Sequence, residues 1–181
     1  MRAFIAIEFP EEIKTDIFHN FEKLKETGIV SGNFVEKENL HLTLKFLGDL
    51  NEEKAKKIQE KLSEVNFRKF RVKIGEIGFF PKEKYIRTIW IELKAEEIQK
   101  LQKIIDDKLF EIGISKDERE FTSHITAVRI KSVKNKDIFL ERLKKLRIKK
   151  QDFEVSNFSL IKSELTARYP IYKKIADFRL N

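Results

Sequence analysis

The chain has 181 residues, of which 38 are Lys or Arg and 30 are Asp or Glu, so its formal net charge is +8. A hydrophobic fraction of 41% excludes a disordered chain, and the absence of cysteine excludes disulfides, thiolate metal sites and cysteine nucleophiles. No apolar run approaches the ~20 residues of a membrane-spanning helix, and the N-terminus lacks a signal-peptide pattern. We therefore expect a soluble, cytoplasmic, monomeric protein of one domain, residues 1–181, that favours anionic partners.

Segments with a two-residue hydrophobic period alternate with segments of helical period in the first half of the chain. They predict a strand over residues 2–9, a helix that Pro10 opens and Gly28 closes, and a strand over residues 41–47. A second helix follows, with Asn51 as its N-cap. The first half therefore alternates strand and helix.

The second half repeats this alternation. In order, its pattern predicts strands at 70–80 and 86–93 joined by a turn at 81–84, a helix at 96–112 that Gly113 ends, a strand at 121–130, a helix at 136–146, and strands at 153–161 and 171–178. The order predicts an α+β fold with two related halves.

A short polar motif occurs once in each half. His41 is followed at the second position by Thr43, and His124 is followed in the same way by Thr126, although the chain has only three histidines. Both copies lie on predicted strands, 83 positions apart. On a strand, residues i and i+2 point to the same side, with Cα atoms ~6.6 Å apart. Each His and Thr therefore share a face opposite their apolar neighbours.

Two such strands can bring two imidazoles and two hydroxyls together on one anion. Imidazole titrates near ~6.5, so one His can act as a base and the other as an acid near neutral pH. Two other interpretations compete with this one, exposed polar pairs without a role and a zinc site. Zinc requires three or four ligands at suitable spacing, and the sequence offers no such cluster. We therefore expect no metal and no cofactor.

Four stretches of the sequence resemble a known family. They are RAFIAI (2–7), NLHLTLKFLG (39–48), FTSHITAVR (121–129) and FSLIKSEL (158–165). Together they resemble the RNA 2′,3′-cyclic phosphodiesterases, also called 2′-5′ RNA ligases, of the two-histidine phosphoesterase superfamily. The resemblance extends over nearly the whole chain, and the block around His41 is the most specific part of it.

The resemblance implies a bilobal α+β fold, in which two pseudo-symmetric halves with mainly antiparallel sheets line a central cleft and helices pack outside. It also implies that His41 is the general acid, His124 the general base, and that Thr43 and Thr126 hold the phosphate. The implied substrate is an RNA end with a 2′,3′-cyclic phosphate, such as that of a tRNA fragment, and the implied product is a 2′-phosphomonoester. The residues alone leave open which His is the acid.

Three further residues are candidates for substrate binding. Phe4 lies on the strand face opposite the core set and can stack a base, or it can be a second-layer core residue. Lys45 shares the predicted face of His41 and can offset phosphate charge. Arg129 matches an arginine of the family, but its odd offset of five from His124 places it on the other face unless a bulge intervenes.

Three functions remain in competition. The first is a metal-independent phosphodiesterase acting on RNA ends, whose active site can also run in reverse as a weak 2′-5′ ligase. The second is an enzyme of the same superfamily that acts on a small cyclic nucleotide. The third is a basic RNA-binding module in which both histidines are structural.

Overall fold

The computed structural model describes residues 1–80, 86–118, 120–167 and 169–181. The turn predicted at 81–84 lies outside the described residues. The strands are β1 (Arg2–Glu8), β2 (Val30–Phe34), β3 (His41–Asp49), β4 (Phe70–Phe80), β5 (Thr88–Lys94), β6 (His124–Val133), β7 (Asp152–Val155), β8 (Asn157–Glu164) and β9 (Ile171–Arg179). The helices are α1 (Glu11–Glu26), α2 (Glu52–Ser63), α3 (Glu96–Phe110) and α4 (Lys136–Lys145), and a 3-10 turn spans Lys37–Asn39.

Local signals begin and end the helices where the sequence indicates. Pro10 precedes α1, and the side chain of Asn51 accepts a hydrogen bond from the Lys54 amide at the start of α2, 2.8 Å away. Gly28 and Gly113 follow α1 and α3 with φ angles of 61° and 79°, a conformation that glycine adopts without steric cost. The predicted helix stops are therefore confirmed.

The strands form one antiparallel sheet with the order β7-β4-β5-β6-β3-β1-β8-β9. Strands β1, β3, β8 and β9 make one half of the sheet, and β4, β5, β6 and β7 make the other. The halves meet where Leu42 of β3 pairs with Ile125 of β6. Beyond that pair β2 occupies the side of β6 that β3 leaves, pairing with residues 128–133. This confirms the predicted α+β fold with antiparallel halves.

The helices cover one face of the sheet and exchange partners between the halves. Helix α1, which follows β1, packs against β2 and β6, and helix α3, which follows β5, packs against β3. One apolar core, which includes Leu42, Ile125, Ile17 and Leu101, fills the space between helices and sheet. Each half therefore supplies a helix that supports the central strand of the other.

Two features of the sheet differ from the sequence prediction. Strand β2 was not predicted, and the single strand predicted at 153–161 is two strands separated at Ser156. Of these two strands, β7 pairs with β4 at one edge and β8 pairs with β1 in the other half. The chain therefore crosses from one half of the sheet to the other at Ser156. Within the described residues, no helix has the length and apolarity needed to cross a membrane.

Candidate active site

The central strands place both motifs on one face of the sheet. Leu42 and Ile125, the middle residues of the two motifs, pair with each other and are buried in the core. Since side chains alternate along a strand, the His and Thr residues on either side of them face away from the core. All four of those side chains are half-buried in a groove on the open face.

The two motifs lie side by side on antiparallel strands, with the His of each motif next to the Thr of the other. Continuing the antiparallel pairing by one residue in each direction places His41 opposite Thr126 and Thr43 opposite His124. Residues directly opposite each other in such a pair have Cβ atoms about 4.5–5.5 Å apart. The arrangement has an approximate two-fold symmetry about the Leu42–Ile125 pair. One His-Thr pair from each half therefore flanks the Leu42–Ile125 pair on the same face of the sheet.

Each imidazole ring is held by a hydrogen bond from Nδ1 to the backbone carbonyl two residues before it. The Nδ1 atom of His41 lies 2.7 Å from the carbonyl oxygen of Asn39, and Nδ1 of His124 lies 2.7 Å from that of Thr122. A carbonyl only accepts hydrogen bonds, so each Nδ1 carries a proton and each neutral ring has its lone pair on Nε2. The Nε2 atom of His41 also lies 2.9 Å from Oγ1 of Thr43. With the proton on Nδ1, the Nε2 lone pair of His41 accepts from the Thr43 hydroxyl, and in both rings Nε2 is the nitrogen that can take up a proton.

The groove lowers the pKa of both histidines. Burial lowers the pKa of His41 to about 4, with a further decrease from the positive charge of Arg129 and an opposing increase from its bond to the Asn39 carbonyl. Burial also lowers the pKa of His124, and Arg129 acts in the same direction. Both rings are therefore neutral near pH 7.

A β-bulge brings Arg129 to the groove. The pairing of β6 with β5 slips by one residue at Ala127, so that Ala127 and Val128 are both buried. The extra residue reverses the alternation after it, which places Arg129 on the face of His124 despite the odd spacing. The bulge that the sequence analysis required for Arg129 is thus present.

A bulge at the matching position of β3 overturns the prediction for Lys45. The pairing of β3 with β1 slips at Leu44, so Leu44 and Lys45 both point into the core. Lys45 is only 2% exposed and forms an ion pair with Asp106. The prediction that Lys45 shares the face of His41 is therefore wrong, because the bulge turns it inward. The same bulge turns Phe46 outward, where the residue is 69% exposed.

Phe46 is a groove residue that the sequence analysis did not identify. It follows His41 by five positions, as Arg129 follows His124 by five. Because both strands carry their bulge at the same point, the two residues occupy equivalent places in the two halves. The repeated spacing was visible in the sequence, but only the pairing between strands shows the bulge that turns each residue to the groove.

Phe4 lies on the predicted side of β1 but does not present a free ring. It is 4% exposed and packs against the imidazole of His41, with ring centroids 4.8 Å apart, and against Tyr172 at 4.9 Å. Tyr172 in turn contacts His41 edge-on at 5.3 Å. Of the two alternatives for Phe4, the structure therefore favours the second-layer core residue, since His41 and Tyr172 cover its ring. The buried ring of Phe4 packs against the imidazole of His41 and helps to fix its position.

Aromatic rings also surround His124. Phe80 stacks on Trp90 with ring centroids 5.0 Å apart, and both contact His124 edge-on, at 5.5 Å and 5.9 Å. Phe80 retains 37% of its surface exposed, so its outer face is open to the groove. This half therefore presents an aromatic surface beside its imidazole.

A carboxylate lies opposite each histidine on the outer neighbouring strand. Glu8 pairs with His41 and Glu92 pairs with His124. Glu8 is bound by Lys174, 2.6 Å away, and both line a cavity of about 60 Å³ beside His41. In the part of the chain that the structure describes, no group of three or more His, Asp or Glu side chains could hold a metal ion.

The α+β fold and its crossed pair of His-Thr motifs define a two-histidine class of protein. The family model described as "LigT like Phosphoesterase" matches the chain twice, at residues 7–90 and 91–172. The chain therefore belongs to the LigT-like phosphoesterases.

Relatives and solved structures cover the whole chain. A protein of Methanocaldococcus jannaschii named RNA 2′,3′-cyclic phosphodiesterase is 40% identical over 98% of this chain and 100% of its own length. A protein of the same name from Archaeoglobus fulgidus is 37% identical over 98% of this chain and 99% of its own. The crystal structure of the Thermus thermophilus protein TT0787 matches 99% of this chain and 97% of its own, with a TM-score of 0.78 and 25% identity. The fold of Escherichia coli LigT is similar at the same TM-score, with 24% identity over 99% of this chain and 96% of its own.

Proposed function

We propose that the protein hydrolyses RNA 2′,3′-cyclic phosphate ends to 2′-phosphomonoesters. The names of its full-length relatives support this substrate. The arrangement of the two histidines in the groove supports acid–base hydrolysis, and the strongest support is the orientation of their rings. Both Nδ1 atoms are bound by backbone carbonyls, so His41 and His124 each direct Nε2 to proton transfer.

In the proposed reaction, water attacks phosphorus from the side of His124 while O3′ leaves on the side of His41. The bond from phosphorus to the water oxygen forms and the bond to O3′ breaks. Nε2 of His124 takes a proton from water, and protonated Nε2 of His41 gives a proton to O3′. The phosphate stays attached to O2′, so the product is a 2′-phosphomonoester.

His41 must gain a proton before it can act as the acid. Its pKa of about 4 in the free protein leaves it neutral at pH 7. The negative charge of a bound phosphate favours the imidazolium, and the Glu8 carboxylate acts in the same direction. Substrate binding therefore supplies the charge that stabilises the acid form of His41.

Other groove residues are assigned to binding. Thr43 and Thr126 donate hydrogen bonds to the non-bridging phosphate oxygens, and Arg129 balances their charge. The exposed ring of Phe46 stacks on the base of the terminal nucleoside. No metal ion takes part in the proposed reaction, because these donors meet the charge on phosphate, and turnover is expected to persist in excess chelator.

The aromatic pair beside His124 favours weak 2′-5′ ligation as a second activity. A 5′-hydroxyl of RNA takes the place of water when its base stacks on Phe80, which is open to the groove and supported by Trp90. The bond from phosphorus to O5′ then forms and the bond to O3′ breaks, with the same two proton transfers at His124 and His41. Supplying a 5′-hydroxyl RNA with the cyclic end, and looking for a 2′-5′ joined product, tests this activity.

The main experiment replaces each histidine and follows an oligonucleotide that ends in a 2′,3′-cyclic phosphate. His41→Ala and His124→Ala should each lower kcat by ~10²–10⁴, the usual contribution of a general acid or base. The double variant should cost far less than the product of the two, because the transfers act as a unit. Thr43→Ala and Thr126→Ala should cost less, ~1.5–3 kcal/mol each for one bond to a charged oxygen.

Thermal unfolding of the same variants provides the control. Each His→Ala protein should remain folded, since both rings lie in the groove rather than in the core. Near-full turnover by either variant, or loss of activity only through unfolding, would leave the RNA-binding module as the better interpretation. A 3′-phosphate product would contradict the assigned leaving group.

A further inference from the structure

A buried lysine lies directly beneath the groove, on the core side of the strand that carries His41. The ammonium of Lys45 bonds to the carboxylate of Asp106, lies 3.0 Å from the carbonyl oxygen of Ser115, and lies 3.5 Å from Oδ2 of Asp117. The contacts to Asp106 and Ser115 are hydrogen bonds that the ammonium donates, and the contact to Asp117 is an ion pair. The buried charge is therefore fully paired, as a stable buried lysine requires.

These contacts connect the two halves of the molecule. Lys45 belongs to β3, and Asp106 belongs to α3, the helix from the other half that packs against β3. Ser115 and Asp117 lie in the segment between α3 and β6. That segment leads to His124, the first residue of β6. One ammonium thus ties the strand of His41 to the chain that leads to His124.

The corresponding place in the other half is apolar. Val128 occupies the bulge position of β6 that Lys45 occupies in β3, and it is fully buried. The last three buried positions of α3 are Ile105, Asp106 and Leu109, and those of α1, with the same spacing, are Asn20, Phe21 and Leu24. Phe21 therefore corresponds to Asp106. Apolar Val128 and Phe21 occupy these positions where α1 packs on β6. Packing of α3 on β3 therefore does not by itself require a charged pair at the equivalent positions.

We infer that the Lys45–Asp106 ion pair is a positioning device for the two histidines. The ammonium finds its acceptors only when the bulge turns Lys45 inward, and that same bulge keeps His41 and Phe46 on the groove face. A slip of one residue would move His41 to the core face and leave a charge unpaired. The inference rests on the proposed function, in which the separation of the two Nε2 atoms decides the rate.

The test removes the pair without leaving a lone charge. Lys45→Met with Asp106→Leu should unfold at the same temperature as the parent or higher, because a buried ion pair often contributes less than apolar packing. Its kcat on the cyclic-phosphate oligonucleotide should fall about tenfold or more, because a misplacement of ~1 Å can cost 10²-fold. Its KM should change less than about threefold, since the groove contacts to substrate remain. The matched control, Lys57→Met with Glu53→Leu, removes an exposed ion pair of α2 and should leave kcat unchanged.

Two further measurements keep the inference testable. Asp117→Ala removes a half-exposed partner, so the fold should persist while kcat falls severalfold at constant KM. The imidazole NMR signals of His41 and His124 should shift in the folded Lys45 double variant but not in the control. The NMR shifts can be measured even if the parent protein does not turn over the substrate. Absence of turnover by the parent protein would contradict the proposed function but not this inference. A stable double variant with parental kcat and unshifted imidazole signals would overturn the inference.

Discussion

The depth at which each imidazole is buried sets the proton chemistry of the groove. The pKa of His41 falls to about 4 and that of His124 also falls, both mainly through burial. In the proposed mechanism, kcat/KM depends on one ring being neutral and the other protonated in the free enzyme, so kcat/KM should be largest midway between the two pKa values. Because both lie below the ordinary value of 6.5, we expect a bell-shaped profile with its maximum on the acid side of pH 6.5.

The measurement is kcat/KM for the cyclic-phosphate end between about pH 4 and 9, with kcat as an internal comparison. Bound phosphate raises both pKa values through its negative charge, so the profile of kcat should lie at higher pH. A maximum of kcat/KM above about pH 7.5, or a flat profile with chemistry rate-limiting, would contradict the assigned proton transfers.

Phe46 offers a second test at the level of one residue. The residue is 69% exposed and lies on the groove face, so Phe46→Ala should leave the unfolding temperature nearly unchanged. Stacking on a base contributes ~1–3 kcal/mol, so KM should rise about tenfold or more while Phe46→Trp stays close to the parent. Equal KM values for all three proteins would show that Phe46 does not contact the base.

The sequence was sufficient to predict that His41 and Thr43 share a face, and likewise His124 and Thr126, because strand alternation decides which side chains lie together. It misplaced Lys45, which lies one residue past a bulge. A bulge depends on the pairing between strands, which a single strand's pattern does not report. The error therefore has one structural cause, and the same kind of bulge in β6 explains the position of Arg129.

At the scale of elements, strand β2 holds the bulge that carries Arg129. Asn33 pairs with Arg129, and the amide of Val35 donates a hydrogen bond to the carbonyl of Ala127, 2.9 Å away. A Cβ on Gly32 would overlap the carbonyl oxygen of Arg129, so the close approach of the two strands requires glycine there. The short strand thus fixes the backbone of Arg129.

Gly32→Ala should therefore disturb Arg129 as well as the sheet. Overlap with backbone forces the strands apart, and we expect a loss of ~1–3 kcal/mol in the free energy of unfolding. We also expect kcat to fall about tenfold at a temperature where the variant is folded, because displaced groups lose their alignment with the substrate. Ser31→Ala, on an exposed neighbour in the same strand, is the control and should change neither quantity. Parental kcat in folded Gly32→Ala would rule out this role of β2.

The two errors in the element prediction have different origins. The break between β7 and β8 was readable, because the buried positions run Phe153, Val155 and then Phe158, Leu160, which interrupts the two-residue period. Strand β2 was not readable. Its sequence, VSGNF, is typical of a loop, and it becomes a strand only because β6 offers an unpaired edge where β3 diverges.

At the scale of the whole molecule, the two halves carry the same groups at the centre of the groove but differ in the residues beside them. Each half supplies a His, a Thr, a bulge and a carboxylate opposite its imidazole. The residue five positions after the His differs, being Phe46 in one half and Arg129 in the other. An aromatic ring on one side and a cation on the other suit a ligand that has a base at one end and a phosphate at the other.

The net charge of +8 bears on whether that ligand is a nucleotide or a chain. An RNA strand that extends beyond the groove adds phosphate contacts, and each contact displaces counterions when it forms. For single strands the logarithm of affinity falls with the logarithm of salt concentration by about 0.7 per phosphate contacted. We therefore expect KM for a cyclic-phosphate oligonucleotide to rise steeply between about 50 and 200 mM salt, and KM for a cyclic mononucleotide to rise much less. Shortening the oligonucleotide one residue at a time should reduce the slope in steps until it meets the mononucleotide value. If both substrates show the same slope and similar kcat/KM, the protein acts on small cyclic nucleotides, and the surplus of positive charge serves no RNA contact outside the groove.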